Sequence, residues 1–307
     1  MSEVFLSIVP IFLIMLLGAW IKRYWITSED FWSGLEQLSY FLLFPAVLFN
    51  YISTANLSAE GMKPLIFGII IATLVVTGIL IVYKNRMNIS DTEFTSIFQG
   101  SVRYNSYIFF ALGNALYGEY GLEIVAVVSA YMIIITNVIS VVIFNYYIHK
   151  NTSISESLLS MFQKFITNPL IISSICGFIF NATGVRMNLG IHNTLVSLSN
   201  AALAIGLINV GAGLKLKMHE NYLQNIAITS FFKLLVMPIV IYFILTIFIV
   251  PHTQKAIGVL YGGLPCASTA YILSKQLGGD ANLMASLITI TTILSIFSLS
   301  IIMFLVR

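Results

Sequence analysis

Charged residues are scarce in this chain of 307 residues. Asp, Glu, Lys and Arg together make up 9% of it, whereas hydrophobic residues make up 58%. The mean hydropathy is +0.95. A soluble globular domain usually contains about 25% charged residues. The composition therefore excludes a soluble globular protein and indicates a chain that lives in a lipid bilayer.

The residues of metal, redox and hydrolytic chemistry are also few. The two cysteines, Cys176 and Cys266, both lie inside apolar segments, so the sequence predicts no disulfide framework, metal site or cofactor. The chain has no HExxH or GxSxG motif and no acid pair inside an apolar segment, which argues against an intramembrane enzyme. Glu36 and Glu123 fall near segment starts, so a sodium or proton site built on a buried carboxylate is disfavoured. Coupling through main-chain carbonyls and uniport both remain open.

Long apolar segments are what the chain has in place of charge. A helical crossing needs about 20 predominantly apolar residues, and the length allows about ten crossings joined by short connectors. We therefore predict an all-α polytopic membrane protein, with one half at 1 to 150 and the other at 151 to 307. The predicted spans are 4 to 21, 36 to 54, 64 to 83, 95 to 117, 122 to 148, 167 to 182, 192 to 213, 221 to 250, 254 to 276 and 281 to 306.

The distribution of basic residues between alternate loops predicts the orientation. Basic residues concentrate in cytoplasmic loops, and their bias here places both termini outside. They are too dispersed for a nucleic-acid surface. Arg103 and Lys233 lie within spans, and we interpret Lys233 as extending its amine towards the membrane surface. The inner set is Lys22, Arg23, Lys84, Arg86, Lys150, Lys164, Lys215, Lys217 and Lys275, and the outer set is Lys63, Arg186, Lys255 and Arg307.

Two polar stretches interrupt the apolar pattern, "SVRYNSYIFFALGNALYGEYG" and "LPCASTAYILSKQLGGDANL". Aligning Tyr107 with Tyr271 places Asn105 opposite Thr269. With about five spans in each half, the two copies enter the membrane from opposite sides, as in an inverted repeat. Pro265 removes a helical hydrogen-bond donor in the second stretch. We therefore predict interrupted fourth and ninth helices, whose free backbone groups and helix ends bind a substrate or an ion.

These two stretches, together with "FLLFPAVLF" in the second span, resemble the bacterial branch of the auxin efflux carrier family. The resemblance implies a ten-helix fold of two inverted five-helix repeats, similar to bile-acid symporters and sodium/proton antiporters, with the fourth and ninth helices crossed. It implies a scaffold of spans 1, 2, 6 and 7, a moving transport domain of spans 3 to 5 and 8 to 10, a homodimer formed through the scaffold, and the inner (plasma) membrane as location. The fourth span lacks proline and Thr269 stands where Asn is often found, so auxin is not implied.

The predicted function is secondary transport of a small organic anion, such as a mono- or dicarboxylate, by elevator-type alternating access. Sodium- or proton-coupled symport of another small amphipathic solute and channel-like uniport are the alternatives. Arg103 is predicted to neutralise the substrate carboxylate, although a purely structural role in holding the opposite crossover remains open. The predicted substrate-binding residues are Arg103, Tyr104, Asn105, Ser106, Tyr107, Pro265, Ser268, Thr269 and Tyr271, with Asn50 and Asn209 as weaker candidates.

Overall fold

The computed structural model describes residues 2 to 86, 89 to 148, 167 to 214 and 220 to 306. These residues are almost entirely helical, and no β-strand occurs among them. Seven helices are long and apolar enough to cross a membrane, and the longest apolar stretch, Asp91–Tyr147, covers two of the predicted spans. The all-α polytopic prediction is confirmed.

Thirteen α-helices, counted over the described residues, follow the predicted spans closely. A π-helical turn, Ser39–Leu43, joins α2 to α3, and another, Phe232–Val236, joins α9 to α10. The helices are α1 Ser2–Tyr24, α2 Glu29–Leu38, α3 Phe44–Thr54, α4 Met62–Lys84, α5 Asp91–Val102, α6 Ser106–Tyr147, α7 Pro169–Thr183, α8 Leu189–Ala212, α9 Leu223–Phe231, α10 Met237–Ile247, α11 His252–Gly263, α12 Ala270–Leu277 and α13 Ala281–Val306.

Prolines account for the two π-helical turns. Pro45 and Pro238 each occupy one of the first two positions of the α-helix that follows a π turn. Proline has no backbone N–H, and its ring collides with the carbonyl four residues earlier in an α-helix. A wider turn accommodates both effects without ending the helix. The second and eighth predicted spans therefore each run as one bent helix.

The predicted interruptions of the fourth and ninth spans are present. α5 ends at Val102, Arg103 is extended with φ −76° and ψ 154°, and α6 begins at Ser106. α11 ends at Gly263, Leu264 is extended with φ −62° and ψ 149°, and α12 begins at Ala270. A third non-helical point, Gly118 with φ 60°, divides α6 between the fourth and fifth predicted spans.

The helices pack in two groups. In the first group, α1 packs against α8, and α3 packs against α7 and α8. This packing is close, because a Cβ on Gly211 of α8 would overlap the backbone of Met15 in α1. In the second group, α4 and α11 pack against α10, and α13 packs against α5, α9, α11 and α12. The first interrupted helix joins the two groups, because α6 contacts α1 and α3 as well as α5 and α11.

The "AIGLINVGAGL" glycines, which the sequence assigns to close helix packing, have separate surroundings. Gly206 faces the ring of Tyr107 and Gly211 faces α1, whereas Gly213 is the C-cap of α8 and meets only carbonyls of its own helix. The loops that carry His149, Lys150, Lys164, Lys215, Lys217 and His219, and the terminal Arg307, lie outside the described residues, so the orientation stays a prediction.

Candidate substrate-binding site at the crossing of two interrupted helices

The two interruptions meet through their backbones. The N–H of Asn105 donates a hydrogen bond to the carbonyl oxygen of Pro265, with an N···O distance of 3.0 Å. These groups are free to pair because each lies where the helical ladder has stopped. Asn105 also caps α6, since its Oδ1 accepts from the N–H of Ile108 at 3.2 Å. Its Nδ2 is buried and has no hydrogen-bond partner among the described residues, so this amide group is left without an acceptor.

Arg103 links the two interruptions through its side chain. Its Nη1 donates to Oε1 of Gln99 at 3.0 Å and its Nη2 donates to Oγ1 of Thr269 at 3.2 Å. Gln99 in turn donates from Nε2 to the hydroxyl of Ser274 at 2.9 Å. Both acceptors of the guanidinium are neutral, and Arg103 is only 8% exposed. The arrangement holds the guanidinium in place but leaves its charge uncompensated.

Within the described ranges, no acidic side chain forms an ion pair with Arg103. The ion pairs in this part of the chain join Lys22 to Glu29 at 3.0 Å and Lys84 to Asp91 at 3.3 Å. An unpaired guanidinium within a membrane domain is costly, and a group that is retained at such a cost usually serves a ligand. The guanidinium also offers a planar fork of donors that matches a carboxylate.

A cavity of about 550 Å³ opens in front of Arg103. One wall comes from α2, the following π turn and the start of α3 and α7, and the other from both interruptions, α6 and α12. The cavity therefore lies between the two packing groups. Its polar lining includes Arg103, Tyr104, Asn105, Ser106, Tyr107, Ser268 and Thr269, and its apolar lining includes Phe41, Phe44, Ile133, Leu170, Ile272 and Leu273.

A second cavity of about 450 Å³ lies beside the first, and Tyr107, Ser268 and Glu36 line both. The ring of Tyr107 packs edge-on against Phe44 with centroids 4.3 Å apart. The second cavity also contains Tyr271 and Asn209. The predicted residues Arg103, Tyr104, Asn105, Ser106, Tyr107, Ser268, Thr269, Tyr271 and Asn209 are thus brought around one pair of cavities.

Two predicted residues lie apart from both cavity linings. Pro265 acts through its backbone carbonyl at the crossing. Asn50 lies in α3, is 2% exposed, and its carbonyl accepts from the hydroxyl of Ser53 at 2.8 Å. Asn209, the other weaker candidate, donates from Nδ2 to the hydroxyl of Ser39 at 3.1 Å. That bond ties α8 to the first π turn.

Several residues that line the first cavity were not predicted from the sequence as site residues. Ser33, Glu36, Gln37 and Tyr40 all line the first cavity. Their spacing of three, four and seven residues places them on one face of a helix. Thr136 and Asn137 of α6 line the same cavity. Their helical spacing at the start of the second predicted span, and the polar pair Thr136 and Asn137 inside the fifth, were the signals that could have identified them. Glu36 in particular adds a carboxyl group to a site where none was expected.

The prediction that Lys233 extends to the membrane surface is wrong. Lys233 lies in the second π turn with 0% exposure, and its Nζ is 5.7 Å from the centroid of the Tyr261 ring. The α9–α10 helix packs with this face against α11 and α13, so the side chain has no route to the surface.

Several long apolar helices and a crossing of two interrupted helices are features of the class of polytopic helical membrane transporters. The comparison with family models agrees: the family described as membrane transport protein matches residues 3 to 303, and the chain belongs to that family. This is the family of the auxin efflux carriers, so the resemblance seen in the sequence is confirmed. It is a family of transporters and not of enzymes. A search of curated proteins gave no match.

Proposed function

We propose that this protein is a secondary transporter of a small organic anion, with Arg103 as the countercharge for the substrate carboxylate. The observation that carries the proposal is a buried arginine with only neutral acceptors that lines a cavity large enough for a small metabolite. Asn105 supports it with an unused buried Nδ2 donor at the same point. The substrates that fit best are mono- or dicarboxylates.

The apolar part of the cavity favours an anion that also has a hydrocarbon or aromatic portion. Phe44, Ile133 and Ile272 contribute apolar surface opposite the polar crossing. A ligand that reaches from the guanidinium to this surface buries both its charged and its apolar end.

Elevator-type movement is the transport mechanism that we propose. The proposal is supported by the position of the cavity, which has α2, α3 and α7 on one side and both interruptions with α6 and α12 on the other. Sliding of the second group past the first would carry a bound anion across the bilayer while the first group stays in place. The homodimer, the inner membrane location and the external termini belong to the same proposal.

The assignment of Arg103 is tested by ligand-induced thermal stabilisation of the purified protein. Acetate, benzoate, malonate and malate are each titrated, with sodium present or absent, because a ligand that binds only the folded state raises the melting temperature. Arg103→Gln should insert normally but lose roughly 2 kcal/mol of affinity or more, about thirtyfold. Arg103→Lys should recover part of it, since an ammonium retains the charge without the planar fork.

Arg186→Gln is the matched control, because Arg186 is exposed and lies away from the cavities. It should bind carboxylates as the parent does. If Arg103→Gln binds them as tightly as the parent while melting at a lower temperature, the arginine is a structural link between the interruptions and the anion assignment fails. Saturable exchange of labelled carboxylate in proteoliposomes then separates a carrier from a channel.

A further inference from the structure

Glu36 is the acidic counterpart of Arg103 in the first cavity. Among the described residues that line this cavity, these two are the charged ones, and their charges have opposite sign. Arg103 belongs to the first interruption, whereas Glu36 belongs to α2 in the other wall of the cavity. No ion pair joins them in the described part of the chain. The cavity therefore presents one positive and one negative group to a ligand that reaches from one wall to the other.

Glu36 forms no ion pair with a basic side chain within the described ranges. Lys22 lines the second cavity together with Glu36 and acts on it electrostatically. The Nζ of Lys22, however, pairs with the carboxylate of Glu29 at 3.0 Å. A carboxylate that has no ion pair on the wall of a binding cavity repels a second carboxylate and attracts a cation. Its charge therefore acts on whatever ligand occupies the cavity.

The cavity wall around Glu36 has the groups that recognise an ammonium. Ser33, Gln37 and Tyr40 lie on the same face of α2 as Glu36 and offer neutral oxygen acceptors. The rings of Tyr40 and Phe41 also line the cavity and pack edge-on with centroids 5.0 Å apart. Aromatic faces attract ammonium groups. Because α2 contains no Lys or Arg, this wall has no cation of its own to compete with that of a ligand.

We propose that the cavity selects carboxylates that carry an ammonium group at their other end, with Arg103 binding the carboxylate and Glu36 binding the ammonium. The inference rests on the proposed function and narrows its preferred substrate class to ω-amino carboxylates. A dicarboxylate binds Arg103 through one end, but its other end meets the carboxylate of Glu36, so it binds more weakly. The hydrocarbon between the two charged ends of an ω-amino carboxylate contacts the apolar lining, to which Phe44 and Ile133 belong.

Three ligands of matched length test the proposal by calorimetry on the purified protein at neutral pH. They are δ-aminovalerate, hexanoate and glutarate, whose far ends are an ammonium, a methyl group and a carboxylate. We expect δ-aminovalerate to bind about fivefold more tightly than hexanoate, and glutarate to bind more weakly than both. The shorter γ-aminobutyrate and the longer ε-aminocaproate are titrated as well, because the best length depends on how far apart the two charged groups hold the ligand.

Glu36→Gln should abolish this selectivity. The affinity for δ-aminovalerate should fall about fivefold, the affinity for glutarate should rise, and that for hexanoate should stay the same. Glu36 is exposed and forms no ion pair, so the variant should melt at the temperature of the parent. Glu60→Gln is the matched control, because Glu60 is also exposed but lines neither cavity. It should bind the three ligands in the same order as the parent.

The order of affinities in the parent decides the matter by itself if Glu36→Gln does not fold. Glutarate or hexanoate that binds as tightly as the best amino carboxylate overturns the inference and leaves the anion transporter standing. An unchanged order in a folded Glu36→Gln shows that the ammonium is bound elsewhere, which overturns the role of Glu36. Failure of every carboxylate to bind, with or without an amine, overturns both this inference and the proposed function.

Discussion

The interruption at 103 to 105 and the interruption at 264 to 269 differ in length, in what breaks the helix and in charge. The first is short, contains no proline, and has Asn105 as the cap of the next helix. The second follows Gly262 and Gly263, contains Pro265, and has no side-chain cap on the next helix. Only the first interruption contains a charged residue, Arg103. The first interruption therefore contributes the charged side chain and the helix cap, and the second contributes the carbonyl of Pro265 that accepts from Asn105 and the hydroxyl of Thr269 that accepts from Arg103.

Replacing Pro265 should have the largest effect on transport, because this residue breaks the helix at the second interruption. Pro265 keeps Leu264 out of the helical conformation, because the residue before a proline is sterically restricted. In Pro265→Ala, α11 can extend through the crossing and displace the carbonyl that binds Asn105. We expect carboxylate flux in proteoliposomes to fall by more than about tenfold with membrane insertion unchanged. Pro251→Ala, which alters the N-cap of the same helix, is the control, and equal flux in both variants would contradict the role of the proline.

Asn105→Asp should separate capping from recognition in the first interruption. Aspartate is as good an N-cap as asparagine, so thermal stability should be retained. The new carboxylate next to Arg103 neutralises the guanidinium and should lower carboxylate affinity by about tenfold or more. Asn105→Ala removes both the cap, which costs about 1 kcal/mol of stability, and the Nδ2 donor, so it should melt at a lower temperature and lose less carboxylate affinity than Asn105→Asp does. Melting curves with and without malonate distinguish the two variants, and a stable Asn105→Asp with full affinity would contradict the anion site.

Thr269→Val should have a smaller effect and tests the contribution of the second interruption to Arg103. The substitution removes the oxygen that accepts from Nη2. An unpaired donor in a buried site costs about 1 to 2 kcal/mol, so the melting temperature should drop while carboxylate affinity changes only a few-fold. Thr269→Ser retains the oxygen and should behave as the parent. A loss of affinity as large as that of Arg103→Gln would show that Thr269 contacts the substrate directly.

The smallest expected effect is that of two cysteine substitutions that test the orientation of the chain in the membrane. These substitutions should leave transport unchanged. If the two copies are inverted, the part of α6 between the first interruption and Gly118 ends outside, and α12, which follows the second interruption, ends inside. Tyr120 and Lys275, near these ends, are both exposed. In a background without Cys176, Tyr120→Cys should react with an impermeant thiol reagent in whole cells, and Lys275→Cys only after permeabilisation. Labelling of both from the same side would rule out the inversion.

Much of this architecture could be predicted from the sequence because the bilayer constrains it. Apolar runs give the spans, and the polar stretch at Arg103 and the proline at 265 mark the interruptions. Glu36 was not found, because its place near a span start suggested an exposed end, whereas the cavity between α2 and α6 decides what that end faces. Lys233 was misinterpreted for a similar reason. A lone lysine in an apolar helix normally extends to the interface, and only the helices packed around the π turn prevent it.

The hydrogen bond between the backbone N–H of Asn105 and the carbonyl of Pro265 bears on how such a site evolves. It involves no side chain, so substitutions at positions 103, 105 and 269 leave both of its atoms in place. Selection can therefore exchange the charge and polarity of the side chains around the crossing while its backbone hydrogen bond is retained. Related chains could therefore diverge in substrate without any change in the backbone hydrogen bond between the two interruptions.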